Sequence, residues 1–211
     1  MRKLAEHTHN PEHRKLGAFI LAFLSDGDRS CVYSADNRPI YITELTDSLD
    51  SNNFPAMATK PKFIFIEASQ GDKTDKGIVA KGQDTPLTTS TQKPIREISS
   101  KLGGVESRPR KTGVAPIVTQ DVTSVACKAD LVVCMAAFPS HKALHHAQLG
   151  SVVTRLLSEV LYKYSHCKDL LEILAKARRK LAGMDLIGTK QVITTMDTLT
   201  KQFYLYPPAR T

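Results

Sequence analysis

Three continuous apolar runs stand out along the chain. Leu16 to Leu24 is closed by the turn signal Ser25-Asp26-Gly27-Asp28, Lys62 to Glu67 follows Pro61 and stops near Gly71, and Leu131 to Ala136 stops before Pro139. Short apolar runs bounded by turn residues predict strands buried on both faces, the form that parallel strands take. Between the first two, Ile42 to Leu49 predicts a short helix with Thr43 as its candidate cap. Beyond Pro139 the period lengthens. Gly150-Ser151 opens a helix that Ser151 is suited to cap, and Val152, Val153, Leu156, Leu157, Val160, Leu161 and Tyr164 form one stripe at helical spacing. A second helix is expected from about Lys168 to Leu181, with Asp169 and Glu172 early and Lys176, Arg178, Arg179 and Lys180 late, a polarity that complements the helix dipole. Val192 to Met196 and Gln202 to Tyr206 are short β-prone pieces, the latter stopped by Pro207-Pro208. Strands interleaved with helices argue an α/β domain with a mainly parallel sheet.

The stretch from Asp72 to about Thr119 has no sustained periodicity and is rich in Thr, Ser, Lys and Pro. A connection of nearly fifty residues far exceeds the usual length, which marks it as functional or disordered. The chain therefore divides into 1–71, a basic polar linker over 72–121, and 122–211, without internal repeats. Half of the net charge of +8 sits in that stretch, as nine bases against five acids between Asp72 and Thr119. It holds no aromatic residue on which a base could stack, so no nucleic-acid partner is expected.

With 211 residues and 41% hydrophobic content, one ordinary domain plus a long loop is the natural size. No run of eighteen apolar residues predicts a membrane span, and the N-terminus lacks the apolar core of a secretory signal. Cys31, Cys127, Cys134 and Cys167 contain no C-x-x-C pair, which fits a reducing compartment, so a cytoplasmic protein is expected.

Candidate chemistry is sparse. Ser69 lies at the tip of the second apolar run, where sites form in α/β sheets, but no base adjoins it in sequence. His141, His145 and His146 form an H-x-x-x-H-H cluster with neither a glutamate after the first histidine nor a well-spaced third ligand. An exposed loop is the expectation there, with no metal. Cys127 and Cys134 are expected to be buried thiols. No glycine-rich phosphate loop is present and no cofactor is expected.

Several strings resemble the caspase family. Ile64-Phe65-Ile66-Glu67-Ala68-Ser69-Gln70-Gly71 is similar to its nucleophile strand, and Phe23-Leu24-Ser25-Asp26-Gly27 to the segment that carries its catalytic histidine, about forty residues upstream. Ala129 to Val133, Gly150-Ser151, Lys190-Gln191 and Leu199 to Tyr206 resemble successive parts of the small subunit. The resemblance implies a three-layer α/β/α fold with a mainly parallel sheet. It also implies an N-terminally shortened form, since the family's first two strands and the helix between them are expected before the residues seen here. Leu16 to Leu24 is then expected at an open sheet edge.

The departures carry the functional expectation. Asp26 stands where the family has histidine and Ser69 where it has cysteine. Glu67 replaces the substrate-binding glutamine and His145 a substrate-binding arginine, so an acidic substrate side chain loses its partners. Gly27 and the Ser69 backbone N–H remain at the positions of the oxyanion hole. Val192, Ile193, Thr194, Thr195 and Met196 align with the strand through which caspase protomers pair, and Asp84 or Asp121 could serve as linker cleavage sites. The resemblance thus implies a pseudo-caspase, not an enzyme, that regulates apoptotic caspase activity by pairing with an active caspase or with itself. Two alternatives stay open: a hydrolase in which Ser69 works with His145 or His146, and a decoy cut in its linker.

Overall fold

Strand burial follows from position in the sheet. In chain order the elements are α1 (Arg2–Thr8), β1 (Phe19–Leu24), β2 (Gly27–Asp28), β3 (Cys31–Tyr33), β4 (Pro39–Tyr41), α2 (Ile42–Ser48), β5 (Lys62–Glu67), β6 (Leu131–Met135), β7 (His145–His146), β8 (Gly150–Ser151), α3 (Val152–Tyr164), α4 (Leu170–Ala182) and β9 (Thr194–Asp197). The main sheet runs β1-β5-β6-β9, with β1, β5 and β6 parallel and β9 antiparallel to β6. The computed structural model describes residues 2–78, 126–146, 148, 150–186 and 188–206, so the linker aspartates Asp84 and Asp121 lie outside the described residues. The described residues within 2–77 and 126–206 belong to one unit.

The two central strands are buried on both faces, as their uninterrupted apolar character requires. Side chains alternate across the sheet, so each strand feeds two cores. Phe63, Phe65, Val132 and Cys134 meet Leu156, Leu157 and Val160 of α3 and Ile173 and Leu174 of α4. On the opposite face Ile64, Ile66, Leu131 and Val133 meet Leu45 of α2, Leu49, Phe54, Met57 and Val32. Each such fully buried side chain contributes roughly 1.5–3 kcal/mol relative to exposure. The two long helices start where their caps dictate. Ser151 Oγ accepts the Thr154 N–H at 3.0 Å, and Asp169 Oδ1 accepts the Glu172 N–H at 3.0 Å, which starts α4 at Leu170.

Five local expectations need correction. The first apolar run is not buried on both faces: β1 starts at Phe19, turns Phe19, Leu21 and Phe23 toward the α2-side core, and leaves Ile20 53% and Leu24 63% exposed. It occupies the sheet edge, and the core formed by α3 and α4 is centred on β5 and β6. Thr43 does not cap α2, which begins at Ile42 and whose first N–H is taken by the Ser30 carbonyl at 2.9 Å. Cys127 is exposed, in the turn before β6, where its sulfur accepts from Asn52 Nδ2 at 3.1 Å. Gln202 to Tyr206 forms no strand. Phe203 instead enters the α3–α4 core, and its carbonyl accepts the Leu170 N–H at 2.8 Å, closing the start of α4. His145 and His146 are not loop residues but form β7, paired antiparallel with β8. Among the described residues no helix is long and apolar enough to cross a membrane.

Candidate functional site

Parallel pairing of β1 with β5 brings the tips of two distant runs together. The register sets Leu24 opposite Glu67, and the Ser25 N–H continues the ladder to the Glu67 carbonyl at 3.1 Å. Asp26 and Ser69 therefore emerge at the same sheet end, the end at which α/β domains build sites. Asp26 is exposed, and its carbonyl accepts the Tyr33 N–H at 2.9 Å. Gly27 pairs with Val32 and lies hard against the tip of β5. A Cβ there would stand 2.7 Å from the Cys31 oxygen and 2.8 Å from both the Ala68 Cβ and the Ser69 oxygen. Only glycine lets the β2–β3 hairpin seat so closely.

The third wall is the loop after β6. It is laced to the chain after β5 by the Gln70 N–H to the His141 carbonyl and by the Ser140 N–H to the Gln70 carbonyl, each at 2.8 Å. Gly71, at φ +147°, permits this approach, since a Cβ would lie 2.6 Å from the Ser140 backbone. Buried Gln191 holds the same loop, accepting the Leu144 N–H at 3.0 Å and donating to the Ala136 carbonyl at 2.7 Å. The loop then delivers the Ala143 N–H to Ser69 Oγ at 3.1 Å and runs into β7.

These walls enclose a cleft of about 710 Å³. Asp26, Glu67, Ser69 and His145, four positions singled out in the sequence, all line it, with Gly27 packed beneath. His146 is exposed beside Gly150, and His141 lines a separate cavity of about 340 Å³ with Phe138, Leu144 and Val192. Among the described residues no group of three or more His, Cys, Asp or Glu is placed to hold a metal ion.

Glu67 is the electrostatic centre. It is 8% exposed, and its Oε2 accepts the Thr154 hydroxyl at 3.0 Å. Burial pushes its carboxyl above the ordinary value, while the Ser151 and Thr154 hydroxyls and nearby His145 pull it back down. Sequence reasoning missed Thr154 and Arg155, which also line the cleft. Their signal was the polar pair interrupting the apolar stripe just after the Ser151 cap. Ser69 is half-buried, and among the described residues no histidine nitrogen hydrogen-bonds its hydroxyl.

Among the described residues β9 lies at the far edge of the sheet and pairs with β6 alone. Val192 and Met196 are exposed, Thr194 and Thr195 half-buried, and Ile193 is spent inside the core at 1% exposure. Arg178 Nη1 donates to Thr195 Oγ1 at 2.7 Å, bracing the strand from α4.

A family model described as the caspase domain matches residues 1–204. Similar proteins include Caspase-2 of Gallus gallus, 24% identical over 204 residues that cover 93% of this chain and 44% of that protein. Cell death protein 3 of Caenorhabditis remanei is 24% identical over 210 residues, 90% of this chain and 38% of that protein. The chain thus spans less than half the length of these two relatives. The crystal structure of Caspase-1 from Spodoptera frugiperda aligns at a TM-score of 0.70 and 19% identity, covering 98% of this chain and 71% of that one. At that identity the likeness speaks to the fold, and the fold agrees: a mainly parallel sheet between two helical layers.

Proposed function

This chain belongs to the caspase family, and from that premise we propose that it is a non-catalytic homologue that pairs with an active caspase, or with a second copy of itself, and shifts that partner's activity. The observation that carries the reading is the local chemistry of Ser69. Its hydroxyl accepts an N–H from Ala143 and has no histidine bonded to it among the described residues. Exposed Asp26 stands at the position that the family gives to histidine. A serine hydroxyl is far less acidic than a thiol and attacks nothing near neutral pH without a positioned base. Buried Glu67 would also repel an acidic substrate side chain.

The pairing half of the proposal draws on β9, which carries exposed Met196, follows exposed Val192, and among the described residues is paired on one side only. Binding one conformation of a partner better than another shifts its population by that difference in affinity. The proposed setting is the cytoplasm, in keeping with four free cysteines. The test is size-exclusion chromatography with light scattering on the chain mixed with an active caspase, followed by peptide turnover on the mixed peak. A joint species with altered turnover is expected, and Met196→Lys should weaken it. Unchanged turnover at saturating amounts of this chain would refute the regulatory role.

A second reading, a hydrolase with Ser69 as nucleophile, draws on one observation: His145 lines the same cleft. A fluorophosphonate probe tests it, and failure to label Ser69 in the folded chain removes it. Proteolysis in the linker, at Asp84 or Asp121, is tested by incubation with an active caspase and mass mapping of the products.

A further inference from the structure

The cleft beside Ser69 holds a charge that pairing with a caspase does not use. Glu67 is almost wholly buried, yet the side-chain partner of its carboxylate among the described residues is the Thr154 hydroxyl, on Oε2 at 3.0 Å, and not a cation. No Lys or Arg nitrogen forms an ion pair with it among the described residues. Among the described lining residues Arg155 is the only Lys or Arg and Asp26 the other carboxylate, so carboxylates outnumber guanidinium and ammonium groups there by two to one. A buried carboxylate left without a cation is an unfavourable arrangement in a folded protein. Where it borders an open cleft, a cation that enters removes the penalty without displacing a protein partner.

The remaining walls suit a particular cation. Leu24, Ala68 and Ala143 offer apolar surface beside Glu67, which fits the methylene stem of a long basic side chain better than a compact hydrated ion. The cleft is open rather than closed over, and Asp26 is exposed at its rim. An aspartate side chain in the same place would meet two carboxylates.

We propose that this cleft is a binding site for a lysine or arginine side chain presented on an extended peptide segment. Glu67 supplies the buried counter-charge, the Thr154 hydroxyl orients its Oε2, and Asp26 draws the cation toward the opening. The site does not depend on caspase pairing: a chain that leaves every caspase untouched still binds the basic segment, and the two ideas fail separately.

The test is fluorescence polarisation on the full chain with four fluorescein-labelled octapeptides, identical except for a central Arg, Lys, norleucine or Asp. The Arg and Lys peptides are expected to bind about tenfold more tightly than the norleucine peptide, as a buried charge pair warrants, and the Asp peptide more weakly still. Glu67→Gln keeps the side-chain volume and an oxygen for Thr154, and should bring the Arg peptide to the norleucine level. Asp26→Asn, at an exposed position, should cost only about two- to threefold. Overall electrostatics work against the expected order, since the chain's net charge of +8 repels basic peptides, so a preference for Arg cannot come from the general surface. Equal binding of the Arg and Asp peptides overturns the proposal. So does an Arg-to-norleucine ratio that survives Glu67→Gln, or no binding of any peptide up to millimolar concentration.

Discussion

Gly27→Ala probes the contact on which the site is built. The added methyl would meet the Cys31 oxygen at 2.7 Å, the Ala68 Cβ at 2.8 Å and the Ser69 oxygen at 2.8 Å, where ordinary contacts are 3.4–4 Å. All three neighbours must therefore retreat by about 0.6–0.7 Å, and none is the end of a flexible side chain. Two are main-chain oxygens, one in β3, which is paired on both sides, and one just past the tip of β5. Overpacking of this kind costs about 1–3 kcal/mol, and three simultaneous contacts argue for the upper end. Alanine returns about 0.4–1 kcal/mol by lowering the entropy of the unfolded chain. The net destabilisation is then about 2 kcal/mol, a fall in Tm of about 4–8 °C for a chain of this size. Gly17→Ala is the control, because nothing lies within 4 Å of its added methyl, and it should be neutral or slightly stabilising. Urea unfolding followed by far-UV circular dichroism suits a chain without tryptophan. A Gly27→Ala midpoint equal to that of Gly17→Ala would refute the close seating of the β2–β3 hairpin on β5.

Burial raises the Glu67 pKa in the folded state, so between its unfolded and folded values the native chain holds the extra proton and stability falls as pH rises through that window. Glu67→Gln removes this loss, and its stability relative to the parent chain should improve as pH climbs upward from the ordinary carboxyl value of 4.5; a difference that stays constant through that rise contradicts the shift. Ser151→Ala removes the cap of α3, for a cost of about 1 kcal/mol read by urea midpoint, and no change would show that the cap is idle. Burial pushes the Cys134 thiol up to about 12, and Cys31 is also buried, whereas Cys127 and Cys167 are exposed. Iodoacetamide should therefore modify Cys127 and Cys167 quickly and the other two only after unfolding; fast labelling of Cys134 would contradict its place in the core.

Much of the fold was legible because its signals are local. β5 and β6 are apolar runs between turn residues, Ser151 and Asp169 announce helix starts, and the α3 stripe has the helical period. The misreadings share a cause, which is that the deciding partner is remote in sequence. Leu16 to Leu24 has the composition of a two-sided strand, and only its place at the sheet edge leaves Ile20 and Leu24 in solvent. Thr43 looks like a cap until Ser30 supplies the acceptor, and Gln202 to Tyr206 looks like a strand until Leu170 takes the Phe203 carbonyl. Ser69 stands out by its strand-tip position and His145 by its histidine cluster, whereas the pairing of these with Asp26 and Glu67 as one site comes from strings similar to a known family, since no rule of periodicity joins them.

The chain by itself determined which segments must be buried, where the helices begin, and which side chains stand at the strand tips, because hydrophobic period, caps and turn residues act over a few positions. The residues that carry the resemblance, Asp26, Glu67 and Ser69 among them, are likewise written in its order. Tertiary structure alone decided that those residues share one cleft. That depends on parallel pairing of β1 and β5 across some forty positions, and on the loop after β6 folding back onto Ser69. It also decided that Glu67 is buried beside Thr154 with no Lys or Arg paired to it among the described residues, while Arg155 lines the same cleft. Charge and exposure at a site are sums over neighbours from distant segments, and no local pattern contains those sums.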